Sequence, residues 1–420
     1  MSGTMSRRTF LGSAALAAAA VTRCAAAQSS PRVVVIGGGF GGATCARELG
    51  QKGLAVVLVE PEPTYTACPF SNAVIAGLRP IVAQQFKLGM PGPDGVNIVR
   101  QLAVQVDPWN RRVGLADGSS IDYDRLVLSP GIDIRFDALP GYDEDASLVL
   151  PHAWKAGEQT VLLQRQLEAM DDGGTVIIAA PSNPFRCPPG PYERASLIAH
   201  YLKMNKPRSK LLILDAKDSF SKQRLFQDAW RELYPSMIEW VPLSSGGKVI
   251  EVEPKSKTLV TDFDRHTGDV VNVIPPQRAG KIAQAAGVAD RSGWCPIDPV
   301  TFESRLQPNV HVIGDACIAG GMPKSAFSAN AQAKVCAAAV ASLLRGETPA
   351  APKLINTCYS LVAPDYGISV AGVYRPVDGV LTDVEEAGGT SPQNAPPSFR
   401  EQEATYAEAW FKTITSEVFG

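Results

Sequence analysis

A strand, a glycine turn and a helix near the start of the chain constrain its fold more than any other feature. Arg32-Val33-Val34-Val35-Ile36 is a β-branched run of the kind buried in a parallel sheet. Gly37-Gly38-Gly39-Phe40-Gly41-Gly42 follows without a break. Residues 43–49 have helical composition, and residues 55–59 are a second β-branched run closed by Glu60, 18 residues after Gly42. This is the βαβ fingerprint of a dinucleotide site. Gly37 permits the tight turn, Gly39 admits a pyrophosphate against the backbone, and Gly42 lets helix and strand pack closely. The helix N-terminus supplies N–H groups and partial positive charge to phosphates. Glu60 is placed to accept hydrogen bonds from a ribose diol.

Two later segments point to FAD as the dinucleotide. Tyr123-Asp124-Arg125-Leu126-Val127-Leu128-Ser129-Pro130-Gly131 is a strand ending in a small-residue turn. It resembles the A-T-G-type segment of flavoproteins with two dinucleotide domains, and Pro130 and Gly131 are its turn. Asn309-Val310-His311-Val312-Ile313-Gly314-Asp315-Ala316 resembles their second FAD segment, with Gly314 and Asp315 facing the ribityl chain. Met322-Pro323-Lys324-Ser325-Ala326 then opens an Ala-rich helix that runs to about Leu344. Its N-terminus, with Lys324, is expected to face the flavin ring.

The middle of the chain repeats the pattern. Residues 174–180 read as a strand, 192–204 as a helix and 210–215 as a strand, a second Rossmann-like unit. Its phosphate loop is Pro181-Ser182-Asn183-Pro184-Phe185-Arg186-Cys187-Pro188-Pro189-Gly190. One glycine replaces three, and the prolines lack N–H donors. NAD(P)H binding is disfavoured, and a cysteine stands where the nucleotide would enter. Beyond Lys353 the pattern is less regular, apart from a helical stretch at residues 406–418 that carries Trp410.

The remaining features bound the biology. Ser6-Arg7-Arg8-Thr9-Phe10-Leu11, a small apolar run over residues 12–21 and Ala25-Ala26-Ala27 make a twin-arginine leader, so residues 1–27 are expected to direct export to the periplasm. Cleavage there leaves seven of eight cysteines in a compartment where disulfides persist. No later apolar stretch is long enough for a membrane span. A net charge of −2, with no block of like charge, gives no support to nucleic-acid binding. The four histidines lack metal-ligand spacing, so no metal is expected, and the absence of C-x-x-C-H means no haem on this chain.

Taken together, Cys68-Pro69-Phe70-Ser71-Asn72, Arg186-Cys187-Pro188-Pro189-Gly190-Pro191-Tyr192-Glu193-Arg194-Ala195-Ser196, Ile274-Pro275-Pro276-Gln277-Arg278, Trp294-Cys295-Pro296 and Asn356-Thr357-Cys358-Tyr359-Ser360 resemble the flavoprotein subunit of flavocytochrome c sulfide dehydrogenase. The resemblance implies a glutathione-reductase-like α/β fold, an FAD/NAD(P)-type double Rossmann fold with a C-terminal α+β interface domain. The expected parts are residues 28–145 with 270–345 for FAD, 146–269 for the second Rossmann-like unit, and 346–420 covering the flavin and meeting the partner. It implies FAD bound covalently through Cys68 at the 8α position, with Asn72 nearby. It implies a redox disulfide between Cys187 and Cys358 with Cys358 on the flavin side, Glu193 as an acid near that pair, and Trp410 beside the flavin. It further implies sulfide as substrate and a c-type cytochrome subunit as partner. One departure is local: the family's stretch around the flavin-linked cysteine is aromatic-rich, whereas Ala67 precedes Cys68 here and Pro69-Phe70 follow.

Structural readings stand beside these. A Cys187–Cys358 bond would also suit an exported protein with no redox role, Cys68 could serve as a buried thiol, and Glu193 suits a helix start through the dipole alone. Cys45, Cys317 and Cys336 read as core thiols. Two other functions use the same residues, a membrane sulfide:quinone oxidoreductase and an accessory flavoprotein of a sulfur-oxidising complex.

Overall fold

The computed structural model describes residues 32–89 and 95–420. The leader read in residues 1–27 lies outside the described residues. Five strands form one parallel sheet in the order Val310–Val312, Arg125–Leu128, Arg32–Ile36, Ala55–Val59, Val96–Val99. Arg32–Ile36 takes the centre because it is apolar on both faces; Val33, Val34 and Val35 are wholly buried. The strand after it in the chain lies on one side and Arg125–Leu128 on the other. The crevice at its carboxyl end is therefore a topological switch point, where α/β sheets bind ligands.

Phe40–Gln51 packs on Ala326–Leu344 over this sheet, and a Cβ at Gly41 would stand 2.6 Å from Ser129 Oγ at the end of the neighbouring strand. Ala326 and Phe327, at the start of the second helix, line the crevice.

A second parallel sheet runs Ile238–Val241, Lys210–Asp215, Thr175–Ala180, Val270–Val273. Its last strand corrects the expected boundary at 269/270. Val270–Val273 pairs with Val176–Ala179 and is buried throughout, so it belongs to the second Rossmann-like unit rather than to the first. The chain rejoins the first unit at Gln277–Ala279, which pairs with Ile132–Ile134.

The C-terminal region is an antiparallel sheet with a long helix across it, the expected α+β composition. Leu354–Ala363 and Tyr366–Val377 are joined by a two-residue turn, with Ala363 opposite Tyr366. The closing helix, Pro397–Phe419, begins nine residues before the expected 406. Its first turns look too charged to be packed, yet Arg400 and Glu403 are buried as an ion pair of 3.4 Å. Glu403 also accepts 2.6 Å hydrogen bonds from Ser369 and Ser391. Among the described residues, no helix is long and apolar enough to cross a membrane.

Candidate active site

One cleft of about 370 Å³ gathers the pieces that the chain carries far apart. Its floor is the glycine turn with Glu60, Pro130, Gly131, Gly314 and Asp315, and its walls carry Cys68, Cys187, Cys358, Glu193 and Trp410. The glycines are needed where they stand. Gly37 has φ of 101°, and a Cβ there would lie 2.3 Å from the carbonyl oxygen of Ser129. A Cβ at Gly42 would lie 1.8 Å from the carbonyl oxygen of Gly37, so Gly42 serves helix–strand packing behind the cleft. Glu60 is fixed at its strand end by the N–H of Gly38, 2.6 Å from Oε2, and of Glu62, 3.1 Å from Oε1.

The residues fit a flavin dinucleotide. Oδ1 of Asp315 is buried and has no hydrogen-bond partner among the described residues, and neither has Nε1 of Trp154, which lines the same cleft. Unpaired buried polar atoms of this kind are costly in a finished wall, so they mark where a polar ring system or chain completes it. Burial raises the Asp315 carboxyl, with Arg186 and Lys324 opposing. The Ser325 side chain caps the helix start at the cleft by accepting from the N–H of Ser328 at 3.0 Å.

Two expected cofactor contacts are used differently. Lys324 does not line the cleft. Its ammonium donates to the carbonyl oxygens of Asp315 and Cys317, both at 2.7 Å, and lies 4.0 Å over the Trp294 ring. Half-buried beside backbone carbonyls, it holds the Asp315 turn. Asn72 reaches the cleft wall, but its amide is consumed by protein. Nδ2 donates to Glu193 Oε2 at 2.8 Å and to the Gly190 carbonyl at 3.3 Å, while Oδ1 accepts from Arg194 Nε at 3.0 Å.

The two cysteines of the expected disulfide line the same cleft as free thiols, as all seven described cysteines are free. The Cys187–Cys358 bond is thus not formed in this structure. Burial first, then the negative charges of Glu193 and Cys358, push the Cys187 thiol up, which keeps it protonated and unreactive in this form. Cys187 sits in left-handed backbone, φ 57°, its N–H donating to the Lys324 carbonyl at 2.8 Å. Cys358 lies on Leu354–Ala363, where Asn356 Nδ2 approaches its sulfur at 3.4 Å. Glu193, in the first turn of Gly190–Asn205, accepts from the Leu361 N–H at 2.9 Å as well as from Asn72. Burial raises its carboxyl and those two bonds oppose the rise. Trp410 stacks on Phe327 with centroids 6.4 Å apart.

The sequence assigns no role to Trp154, Arg186, Arg194 and Lys222, which stand at or beside the site. Cys68 Sγ lies 3.9 Å from the Trp154 carbonyl oxygen, and that oxygen also accepts from Arg186 Nη2. The Arg186 guanidinium, 3.9 Å from Asp315, keeps its charge because Cys68 and Asp315 outweigh the burial that opposes it. Arg194 is 1% exposed and donates to the His152 and Ala153 carbonyls at 3.0 and 2.6 Å. Burial pulls it down to about 9. Lys222 reaches the Cys358 carbonyl oxygen at 3.1 Å from 136 residues away. Arg186 and Arg194 stand inside the recognised motif; nothing local marks Lys222. Cys295 faces Cys317 across a two-residue bridge, and both are buried. Among the described residues, no group of three His, Cys, Asp or Glu is arranged to hold a metal.

The second nucleotide position is filled by protein. Asp215, at the strand end where a ribose would bind, is wholly buried. It accepts from Tyr192 Oη at 2.5 Å, Lys217 Nζ at 2.6 Å and Trp240 Nε1 at 3.0 Å. Lys217 also caps the Pro181 carbonyl at 2.7 Å, and Phe220 stacks on Tyr192 at 3.5 Å.

Family models match most of the described chain. Residues 31–190 match pyridine nucleotide-disulphide oxidoreductase, residues 160–275 the central part of the sulfide dehydrogenase [flavocytochrome c] flavoprotein chain, and residues 350–419 the flavin-binding part of flavocytochrome c sulphide dehydrogenase. The chain belongs to the flavocytochrome c sulfide dehydrogenase flavoprotein family. Among curated relatives, mitochondrial sulfide:quinone oxidoreductases of Schizosaccharomyces pombe and Dictyostelium discoideum are 23% and 24% identical over 60% and 66% of this chain. The chain spans 56% and 63% of their lengths. The crystal structure of sulfide:quinone oxidoreductase from Aquifex aeolicus aligns with a TM-score of 0.73 at 18% identity, covering 92% of each chain. Putidaredoxin reductase aligns at 0.63 and 17%, covering 90% of this chain and 93% of its own. These likenesses establish the FAD/NAD(P)-type double Rossmann fold.

Proposed function

We propose that this protein is a periplasmic, FAD-dependent sulfide oxidoreductase that opens a Cys187–Cys358 disulfide with hydrosulfide and has a c-type cytochrome subunit as its electron acceptor. The observation that carries this reading is the meeting of Cys68, Cys187 and Cys358 on one cleft with the dinucleotide turn. Family membership and the filled second nucleotide position support it further.

FAD, when bound, supplies a two-electron acceptor that releases its electrons singly. The Gly37–Gly39 turn and the helix start at Phe40 would hold its pyrophosphate, Glu60 its ribose and Asp315 its ribityl chain. Cys68 would hold it covalently, with the Arg186 charge alongside.

The sulfur step belongs to this chain's own residues. Hydrosulfide attacks Cys187 Sγ of the oxidised pair. A new S–S bond forms to Cys187, the Cys187–Cys358 bond breaks, and its electron pair leaves on Cys358 as thiolate. Cys187 then carries a persulfide. Glu193, in the electrostatic reach of Cys187 and raised by burial, takes or returns the proton of the incoming sulfur.

A second reading, with a quinone as acceptor, draws on the curated relatives, which are sulfide:quinone oxidoreductases. Purified protein and anaerobic sulfide separate the two. Steady-state reduction of a c-type cytochrome with none of a soluble quinone supports the proposal. Quinone reduction alone supports the second reading, and no turnover with either leaves the accessory role.

A further inference from the structure

Lys222 is a buried cation behind the strand that carries Cys358. It is 7% exposed and sits just before the helix Gln223–Leu233, in left-handed backbone with φ 62°. That conformation is uncommon for a residue with a side chain. Its ammonium donates to the Cys358 carbonyl oxygen at 3.1 Å, Ser360 Oγ at 2.8 Å and the Ile368 carbonyl oxygen at 3.4 Å. All three acceptors are neutral. A buried cation held only by neutral groups is expensive unless its charge is used.

The ionisable groups that face it come from every element around it. They are Cys358 on Leu354–Ala363, Glu193 on Gly190–Asn205, Cys187 on the loop before that helix, and Glu403 on Pro397–Phe419. Two of these four are the proposed redox thiols. Burial pulls Lys222 down to about 8, and the four acidic groups oppose that fall.

We propose that Lys222 is the fixed positive charge that receives the Cys358 thiolate as hydrosulfide opens the disulfide. The inference rests on the disulfide reading above. In the step, HS⁻ and the Cys187–Cys358 disulfide become a Cys187 persulfide and a Cys358 thiolate. One S–S bond forms, one breaks, and one negative charge moves from solvent to the half-buried sulfur of Cys358 on the cleft wall. A cation already fixed beside it lowers the barrier without rearrangement. Lys222 acts here as a positioning charge: it grips the backbone of the cysteine and supplies the field at its sulfur.

Stopped-flow bleaching of the flavin by sulfide across pH 6–10, with Lys222→Met and Lys222→Arg, tests this. Wild type shows an alkaline limb at or below about pH 8 as the ammonium discharges, because the disulfide lacks the two thiolates that raise Lys222 in the free-thiol form. Lys222→Met bleaches about tenfold more slowly at pH 6 and lacks that limb. Lys222→Arg keeps the rate to within about threefold, and its limb moves upward because a guanidinium stays charged. A methionine variant that bleaches at the wild-type rate, or an arginine variant whose limb coincides with that of wild type, overturns the inference. Should the methionine variant not fold, the position of the arginine limb decides alone. Alkylation of wild type before and after excess sulfide, enough to reopen the pair once the flavin is reduced, is run alongside. No gain in reactive thiols there overturns the disulfide reading itself, whereas a normal gain with an unmoved limb overturns only the role of Lys222.

Discussion

Asn72 Nδ2 stands 2.8 Å from Glu193 Oε2, so a side chain four residues after Cys68 holds the acid that faces Cys187. The segment that is assigned the flavin linkage and the segment that carries the redox thiol are thereby joined through one carboxylate. Arg194 completes the joint by donating to Asn72 Oδ1 at 3.0 Å.

The first prediction concerns that carboxylate. Burial raises Glu193 above its ordinary 4.5. Between the unfolded and folded values the native state binds the extra proton, so stability is full below the unfolded value and falls as pH rises through the folded one. Glu193→Gln removes the titration. The difference in Tm, variant minus wild type, should therefore grow in the variant's favour from pH 4 to pH 7, whatever constant offset the altered hydrogen bond to Asn72 adds. A flat difference would show that Glu193 titrates alike in both states.

Cys68 is expected to keep the flavin on the chain through acid precipitation. Cys68→Ala should release all of the yellow colour into the supernatant and lose the mass of one FAD from the intact protein, while folding as wild type by circular dichroism. The Cys68 sulfur lies 3.9 Å from the Trp154 carbonyl that Arg186 also holds, and a flavin-bearing peptide from any other cysteine would contradict the assignment.

The architecture was legible wherever local chemistry and tertiary packing agreed. The strand over Lys210–Asp215 and the helix end at Leu344 fall where their apolar runs and small-residue content place them. The long hairpin of Leu354–Ala363 and Tyr366–Val377 was not legible. Its turn carries neither Asn-Gly nor Asp-Gly, and its first strand bears Asn356, Cys358 and Ser360, polar residues that serve the site and Lys222 rather than a sheet face. The cleft-lining place of the glycine turn could be read because the turn is set by its own backbone. Lys324 and Asn72 could not, because a side chain's partner is set by elements distant in the chain. Lys222 lies 136 residues from the carbonyl it holds, and no spacing rule reaches that far.

The filled second nucleotide position yields a further expectation. NADH should bleach the flavin no faster than buffer under anaerobic conditions. Asp215→Ala should leave Tyr192, Lys217 and Trp240 without their common acceptor, costing about 3–5 kcal/mol and lowering Tm by several degrees. Rapid bleaching by NADH, or an unchanged Tm, would contradict a packed-shut site.

The most direct measurement is peptide mapping of the air-oxidised protein, alkylated without reduction before and after one equivalent of anaerobic sulfide. Before sulfide, Cys187 and Cys358 should appear as one cross-linked peptide pair. Afterwards the direct cross-link should be gone: Cys187 carries one added sulfur with Cys358 free while the flavin is still oxidised, and the two cysteines are joined through that added sulfur once the flavin has taken up two electrons and bleached. Both cysteines alkylated from the outset, with sulfide still bleaching the flavin, would contradict a disulfide relay.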